Sequence, residues 1–239
     1  MVKFHVLTIL PEFFEGPFRS GVTGRALQSG KADLELVNLR DFTEDIHRTV
    51  DDRPYGGGPG MVLKAEPIAR ALDRIREEAK GASARVVLLS AQGRVFRQKD
   101  AESWAELDHL ILICGRYEGV DERVALHLAD EEISIGDFVI SGGEAAAAVI
   151  VDAVLRRIPG VVGKWESIVT DSFMAGILGY PQYTRPAEFR GWAVPEVLAG
   201  GDHKKIQRWR EEAALSKTER NRPDLLPDRH QEPADEPLG

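Results

Sequence analysis

The sequence predicts an α/β domain built on a mainly parallel sheet and followed by a small helical domain. Three observations carry this expectation. Short apolar runs alternate with amphipathic helical stretches from the N-terminus to about residue 160, the pattern by which chains build parallel sheets. The three middle runs each end in a glycine-bearing loop. Beyond about residue 160 the alternation stops, and a glycine-containing linker gives way to helical periodicity.

The elements follow in order. FHVLTIL (4–10) reads as a buried strand, and Pro11 opens a helical turn. LELVN (34–38) is a second strand. From Glu66, residues Ile68, Leu72 and Ile75 recur at helical spacing with charges between them, and Pro67 suits the first turn. RVVLLS (85–90), HLILIC (109–114) and EEISIG (131–136) read as strands, with helices over 98–107 and 121–129 between them. Ser141 and Glu144 have capping-box spacing, and the alanine-rich helix that follows ends at Pro159 and Gly160. Small alanines permit close packing on the sheet or on a partner chain. Further helices are expected over 172–179, 195–199 and 202–215. The expected organisation is an α/β domain over 1–160, a linker over 161–173, a helical domain over 174–225, and a proline-rich acidic tail over 226–239 that reads as disordered.

The chain of 239 residues suffices for one large domain or two small ones. Its net charge of −8 argues against a protein that coats nucleic acid over its whole surface, yet permits a local basic site. Residues 202–222 provide one: Lys204, Lys205, Arg208, Arg210, Lys217, Arg220 and Arg222 stand against Asp202, Glu211, Glu212 and Glu219, seven cations to four anions. Ile206, Trp209 and Ala213 would face the core of that helix. With one cysteine, Cys114, no intramolecular disulfide forms, which points to a reducing compartment. Cys114 ends a strand and reads as a core residue. The N-terminal apolar run is too short for a membrane span and lacks a cleavage pattern, so a cytoplasmic protein is expected. The six histidines show no ligand spacing, which argues against zinc.

In a parallel sheet, loops after successive strands emerge at one edge, where ligands bind. Three consecutive glycine loops there predict a ligand site. The phosphate-binding pattern GxxxxGK[ST] is absent, and so is GxGxxG, since Leu63 holds the third position after Gly58 and Gly60. The ligand therefore need not lead with phosphates.

Taken in order, RPYGGGPGM (53–61), LSAQGR (89–94), GRYEGVDER (115–123), SIGDFVISGGE (134–144), RRIPGVVG (156–163), DSF (171–173) and YTRP (183–186) closely resemble the bacterial tRNA (guanine-N1)-methyltransferases. That family methylates guanine 37 beside the anticodon. The resemblance covers nearly the whole chain. It implies the trefoil-knotted α/β fold of the SPOUT superfamily, S-adenosyl-L-methionine as methyl donor, tRNA as partner, and a homodimer whose active site is shared between subunits. It implies ligand contacts at Leu88, Leu89, Ser90, Gln92 and Gly93; at Gly115, Arg116, Tyr117, Glu118 and Gly119; and at Ile135, Gly136, Asp137, Phe138, Val139, Ile140, Gly142 and Gly143. Three positions depart from the common pattern: Ala91 for proline, Phe138 for tyrosine, and Thr170 for an acid. The third puts in doubt any role for a second carboxylate.

Guanine N1 is a poor nucleophile until its proton leaves, and methyl transfer from a sulfonium needs in-line alignment. The site therefore needs a base at N1, a cation near O6 and a rigid donor pocket. The resemblance implies Asp171 as the base, although taken alone it reads as a helix N-cap. It implies Arg156 as the cation at O6, where the plainer reading is a solvated helix-end arginine beside Arg157. Glu118 becomes a candidate for the donor or for Mg²⁺, although one or two carboxylates are no metal signature. Tyr55 and Gly58 would belong to a substrate loop, with Tyr55 able to stack on a base, and Lys204 and Arg208 would meet tRNA phosphates. Two other readings remain open: a related RNA methyltransferase acting at another position, and an RNA-binding homologue without turnover.

Overall fold

The computed structural model describes residues 1–163 and 170–227. The expected linker residues 164–169 and the tail from 228 onward lie outside the described residues. The chain divides into two compact units, Met1–Gly163 and Lys164–Gly239.

The first unit is an α/β layer structure. Its sheet has five strands: β1 (Lys3–Thr8), β2 (Asp33–Asn38), β5 (Ala84–Val95), β6 (His109–Cys114) and β7 (Glu131–Ser134). They run in the order β2-β1-β6-β5-β7, and every neighbouring pair is parallel. Central strands of such a sheet are covered on both faces, so they are apolar at nearly every position. Leu110, Leu112 and Cys114 of β6 join one core with Phe4, Val6, Val87 and Leu89. Ile111 and Ile113 join the other with Leu7, Val86 and Leu88. The first core is closed by α1 (Gly21–Gln28), α3 (Gln98–Trp104) and α5 (Glu144–Leu155). The second is closed by α2 (Ala65–Glu78), whose Ile68, Leu72 and Ile75 are fully buried, and by α4 (Glu122–His127). A two-stranded antiparallel pair, β3 (Asp51–Asp52) with β4 (Val62–Leu63), brackets the RPYGGGPGM loop.

β5 is longer than expected and carries the geometry that makes the site. Leu89 lies opposite Ile133, and so does Arg94. The four residues between leave the sheet and return to the same partner. At the return, the backbone of Gly93 runs so close to Glu132 and Ile133 that a Cβ would overlap them.

Among its described residues, the second unit contains a short hairpin, β8 (Glu188–Phe189) with β9 (Trp192–Ala193), and two α-helices, α6 (Glu196–Ala199) and α7 (His203–Asn221). Asp202 caps α7 by accepting from the backbone N–H groups of Lys204 and Lys205. Two expectations are corrected. The helix over 172–179 is a series of turns: Phe173 and Gly176 have φ of 75° and 77°, which no right-handed helix accommodates. The capping box before α5 does not form. Gly143 is the N-cap, and Glu144 turns inward and is buried.

Candidate active site

Three loops meet at the carboxyl edge of the sheet and line one cleft of about 260 Å³, just under the roughly 300 Å³ at which small-molecule sites begin. The first is 88–92 at the β5 excursion, the second 115–120 after β6, and the third 132–136 with 138–143 after β7. Backbone bonds lock them together. The N–H of Gly143 donates to the carbonyl of Gly115 at 2.8 Å, and the N–H of Phe96 donates to Ser134 at 2.8 Å. Arg116 and Gly142 form a bridge. The base of the RPYGGGPGM loop is tied in as well: Glu118 N–H donates to Met61 at 3.0 Å, and Leu63 N–H donates to Gly119 at 3.0 Å.

The backbone here is held in unusual conformations. Tyr117 adopts φ of 63° and Gly119 of 140°. A non-glycine residue in the left-handed region persists only where its surroundings over-determine it. Burial, followed by the nearby Asp51 carboxylate, raises the Tyr117 hydroxyl pKa above its ordinary value. Gly143 is required by packing: a Cβ would stand 2.8 Å from the Cα of Cys114. Cys114 is buried, and burial, then Glu144, pushes its thiol pKa well up. It is a core thiol, as expected.

Of the residues implied as ligand contacts, Leu88, Leu89, Ser90, Gln92, residues 115–119, Ile135, Gly136, residues 138–140, Gly142 and Gly143 line the cleft. Gly93 and Asp137 do not. Gly93 serves the strand crossing, and Asp137 is exposed. The lining also includes Val120, Glu122, Glu132 and Ser134, which are not among the implied contacts. The cleft lining includes three acids, Glu118, Glu122 and Glu132, and one arginine, Arg116.

A second cavity of about 780 Å³ adjoins the first and shares Val120 and Glu122 with it. Arg53, Tyr55, Lys64, Glu66, Asp121 and Arg123 also line it. Tyr55 is fully exposed. Gly58 stands in open space at φ of 119°. Asp121 caps α4, and the Arg123 guanidinium holds its carboxyl pKa below the usual range.

Arg156 lies at the far end of α5, as its C-cap. Twelve residues at about 1.5 Å each put it about 18 Å along the axis from Glu144, and it does not line the cleft. On the second unit, Asp171 is exposed in the turn before Phe173. It caps no helix. Lys204 and Arg208 are exposed on α7, where Arg208 pairs with Glu212 at 2.8 Å. The covered stripe of α7 includes Ile206, Trp209 and Ala213, as the periodicity predicts. Among the described residues, no three or more His, Cys, Asp or Glu side chains converge as a metal set, and no helix is long and apolar enough to cross a membrane.

A family model described as tRNA (Guanine-1)-methyltransferase TrmD matches residues 2–228. The tRNA (guanine-N(1)-)-methyltransferase of Persephonella marina is 57% identical over 226 residues, covering 94% of this chain and 88% of that protein. The protein of the same name from Dictyoglomus turgidum is 53% identical over 226 residues, covering 95% and 90%. That from Koribacter versatilis is 51% identical over 243 residues, covering 94% and 92%. Matches of this extent and identity leave one assignment: the chain belongs to the tRNA (guanine-1)-methyltransferase family.

Proposed function

We propose that this protein is a cytoplasmic enzyme that methylates N1 of guanine 37 in tRNA with S-adenosylmethionine. We propose further that it acts as a homodimer with shared sites, on a trefoil-knotted donor domain over 1–160 and a tRNA-binding domain over 174–225. One observation carries this reading: three interlocked loops form a single cleft at the sheet edge, while Arg156 of the same chain lies at the opposite end of α5, about 15 Å along the axis from Ala146 in the cleft lining.

The residues of the cleft suit the donor. Glycines at 136, 142 and 143 let backbone approach a ligand closely. Three carboxylates against one guanidinium favour a cationic sulfonium. When bound, S-adenosylmethionine supplies an electrophilic methyl group. The protein's part is to align it. Asp171 accepts the N1 proton as the N1–methyl bond forms and the sulfur–methyl bond breaks, with the bonding pair leaving on sulfur. The Arg156 guanidinium meets the charge that develops on O6. A positioned base contributes about 10²–10⁴-fold. Because the length of α5 separates Arg156 from its own cleft, a partner subunit supplies it. Phe138, Val139 and Val149 are exposed apolar residues suited to that contact. Lys204 and Arg208 bind tRNA phosphates, and Tyr55 stacks on an unpaired base.

The test is transfer of label from methyl-labelled donor to tRNA transcripts carrying G or A at position 37. Label in the G transcript alone is expected. Label elsewhere would assign another position, and none would leave an RNA-binding protein. Asp171→Asn should reduce turnover at least a hundredfold while donor binding, measured by calorimetry, stays unchanged.

A further inference from the structure

We propose that Glu144 is a positioning residue for the transfer reaction, holding the Arg116 guanidinium so that its other N–H donors serve an anionic oxygen brought into the cleft. This rests on the cleft being the donor site. Glu144 is the first residue of α5 and is 1% exposed. Its Oε1 accepts the Thr8 hydroxyl at 2.8 Å, and its Oε2 faces Arg116 Nη2 at 3.4 Å. Thr8, the fully buried last residue of β1, also accepts from the Leu10 N–H at 2.9 Å. A hydroxyl has one proton to give, and here it is committed to Glu144.

A carboxylate taken out of water is unfavourable unless it is paired. An acid in the first turn already gains from the helix dipole while exposed, so the dipole does not require the burial. Arg116 does. It lines the cleft, and Glu144 takes only one of its five donors. Its Nε is buried and has no hydrogen-bond partner among the described residues. The backbone of the third loop sits against this pair: a Cβ on Gly142 would come within 2.5 Å of Glu144 Oε2 and 3.0 Å of Arg116 Nε. Glu144 does not line the cleft. It therefore acts through Arg116, and three chain segments meet at the pair: the end of β1, the loop after β6, and the start of α5.

The oxygen that Arg116 receives is either the carboxylate of the donor or an oxygen of the RNA. Glu144→Gln keeps the shape of the side chain and an acceptor for Thr8 while removing the charge. In the full chain, affinity for S-adenosylhomocysteine, which retains the donor's carboxylate, would be measured by calorimetry. It would be compared with kcat and with KM for a G37 transcript. A loss of about tenfold is expected in one of these: in homocysteine-analogue affinity if the donor's carboxylate is the ligand, in KM for tRNA or in kcat if the RNA is. Thr8→Val should move the same parameter less, and it serves if Glu144→Gln does not fold. In an Arg116→Gln background, Glu144→Gln should add less than about twofold, as expected for residues acting as one unit. Wild-type constants in folded Glu144→Gln, full additivity with Arg116→Gln, or a fall in active fraction alone with Kd and KM unchanged would each overturn the proposal. If wild type labels no transcript, the functional reading fails, while the homocysteine-analogue arm still tests the pair.

Discussion

Gly93 has no room for a side chain, because its backbone passes against that of β7 where Glu132 joins Ile133. The neighbour there is backbone, which cannot swing aside. Gly93→Ala should destabilise by about 1–3 kcal/mol through overpacking, lowering Tm by roughly 2–4 °C per kcal/mol. Gly16→Ala, with nothing within 4 Å of the added methyl, should leave Tm unchanged. Differential scanning calorimetry of the two variants checks this, and equal Tm values would contradict it. The sequence marks Gly93 as important but assigns it to the ligand. A glycine that faces a ligand and one that faces a crossing strand look alike along the chain, since the crossing is decided by β7. Glu144 is the same case. Its spacing from Ser141 is a local capping pattern, yet its burial is decided by Thr8, 136 positions away. Local signals cannot carry a contact of that range.

α7 and the segment that lies along it show what elements do and do not reveal beforehand. The helix was legible over 202–215 because Ile206, Trp209 and Ala213 recur at helical spacing, and it runs on to Asn221. The hairpins β3–β4 and β8–β9 were not, because two-residue strands carry no period. The expected helix over 172–179 fails for a tertiary reason. The backbone at Leu178 is tied to α7: Thr218 Oγ1 accepts the Leu178 N–H at 3.0 Å and donates to the Ala214 carbonyl at 2.7 Å. The Arg210 guanidinium lies 4.7 Å over the Tyr180 ring, which fastens the next turn of the segment. Thr218 is fully buried, so Thr218→Val keeps the volume but orphans the Leu178 N–H. A loss of about 1–3 kcal/mol is expected from that unpaired donor. Hydrogen exchange should show the Leu178 amide opening faster, with amides of β6 unaffected. Unchanged exchange at Leu178 would mean that the segment is held by its aromatic contacts alone.

At the scale of the molecule, the parallel sheet was legible because strands covered on both faces are apolar at nearly every position, and one of the exceptions, His5, makes a prediction. His5 is fully buried in β1, with Nδ1 3.0 Å from Glu35 Oε2 and Nε2 2.9 Å from His109 Nδ1. Lys3, Arg74 and Glu78 complete the surrounding charges. Burial dominates and lowers the His5 pKa from 6.5 to about 4. As pH falls from 6.5 toward 4, the unfolded chain takes a proton that the folded chain refuses, so stability declines by up to about 3 kcal/mol. His5→Gln should flatten Tm against pH across that window; parallel slopes would contradict the assignment. The proposed homodimer makes the last prediction. Were Arg156 to serve its own cleft, two inactive variants, Arg156→Ala and Ser90→Trp with its cleft filled, would stay inactive when co-refolded. If instead Arg156 serves the partner, each mixed dimer contains one intact cleft, in the Arg156→Ala chain, facing one intact arginine, in the Ser90→Trp chain. Half the dimers are mixed and each has one of two sites working, so about a quarter of wild-type activity should return. Methyl-transfer assays on separately refolded and co-refolded chains measure it directly. Activity that fails to rise above that of the separate variants would return Arg156 to its own subunit, and α5 would then have to bend by most of its length to deliver it.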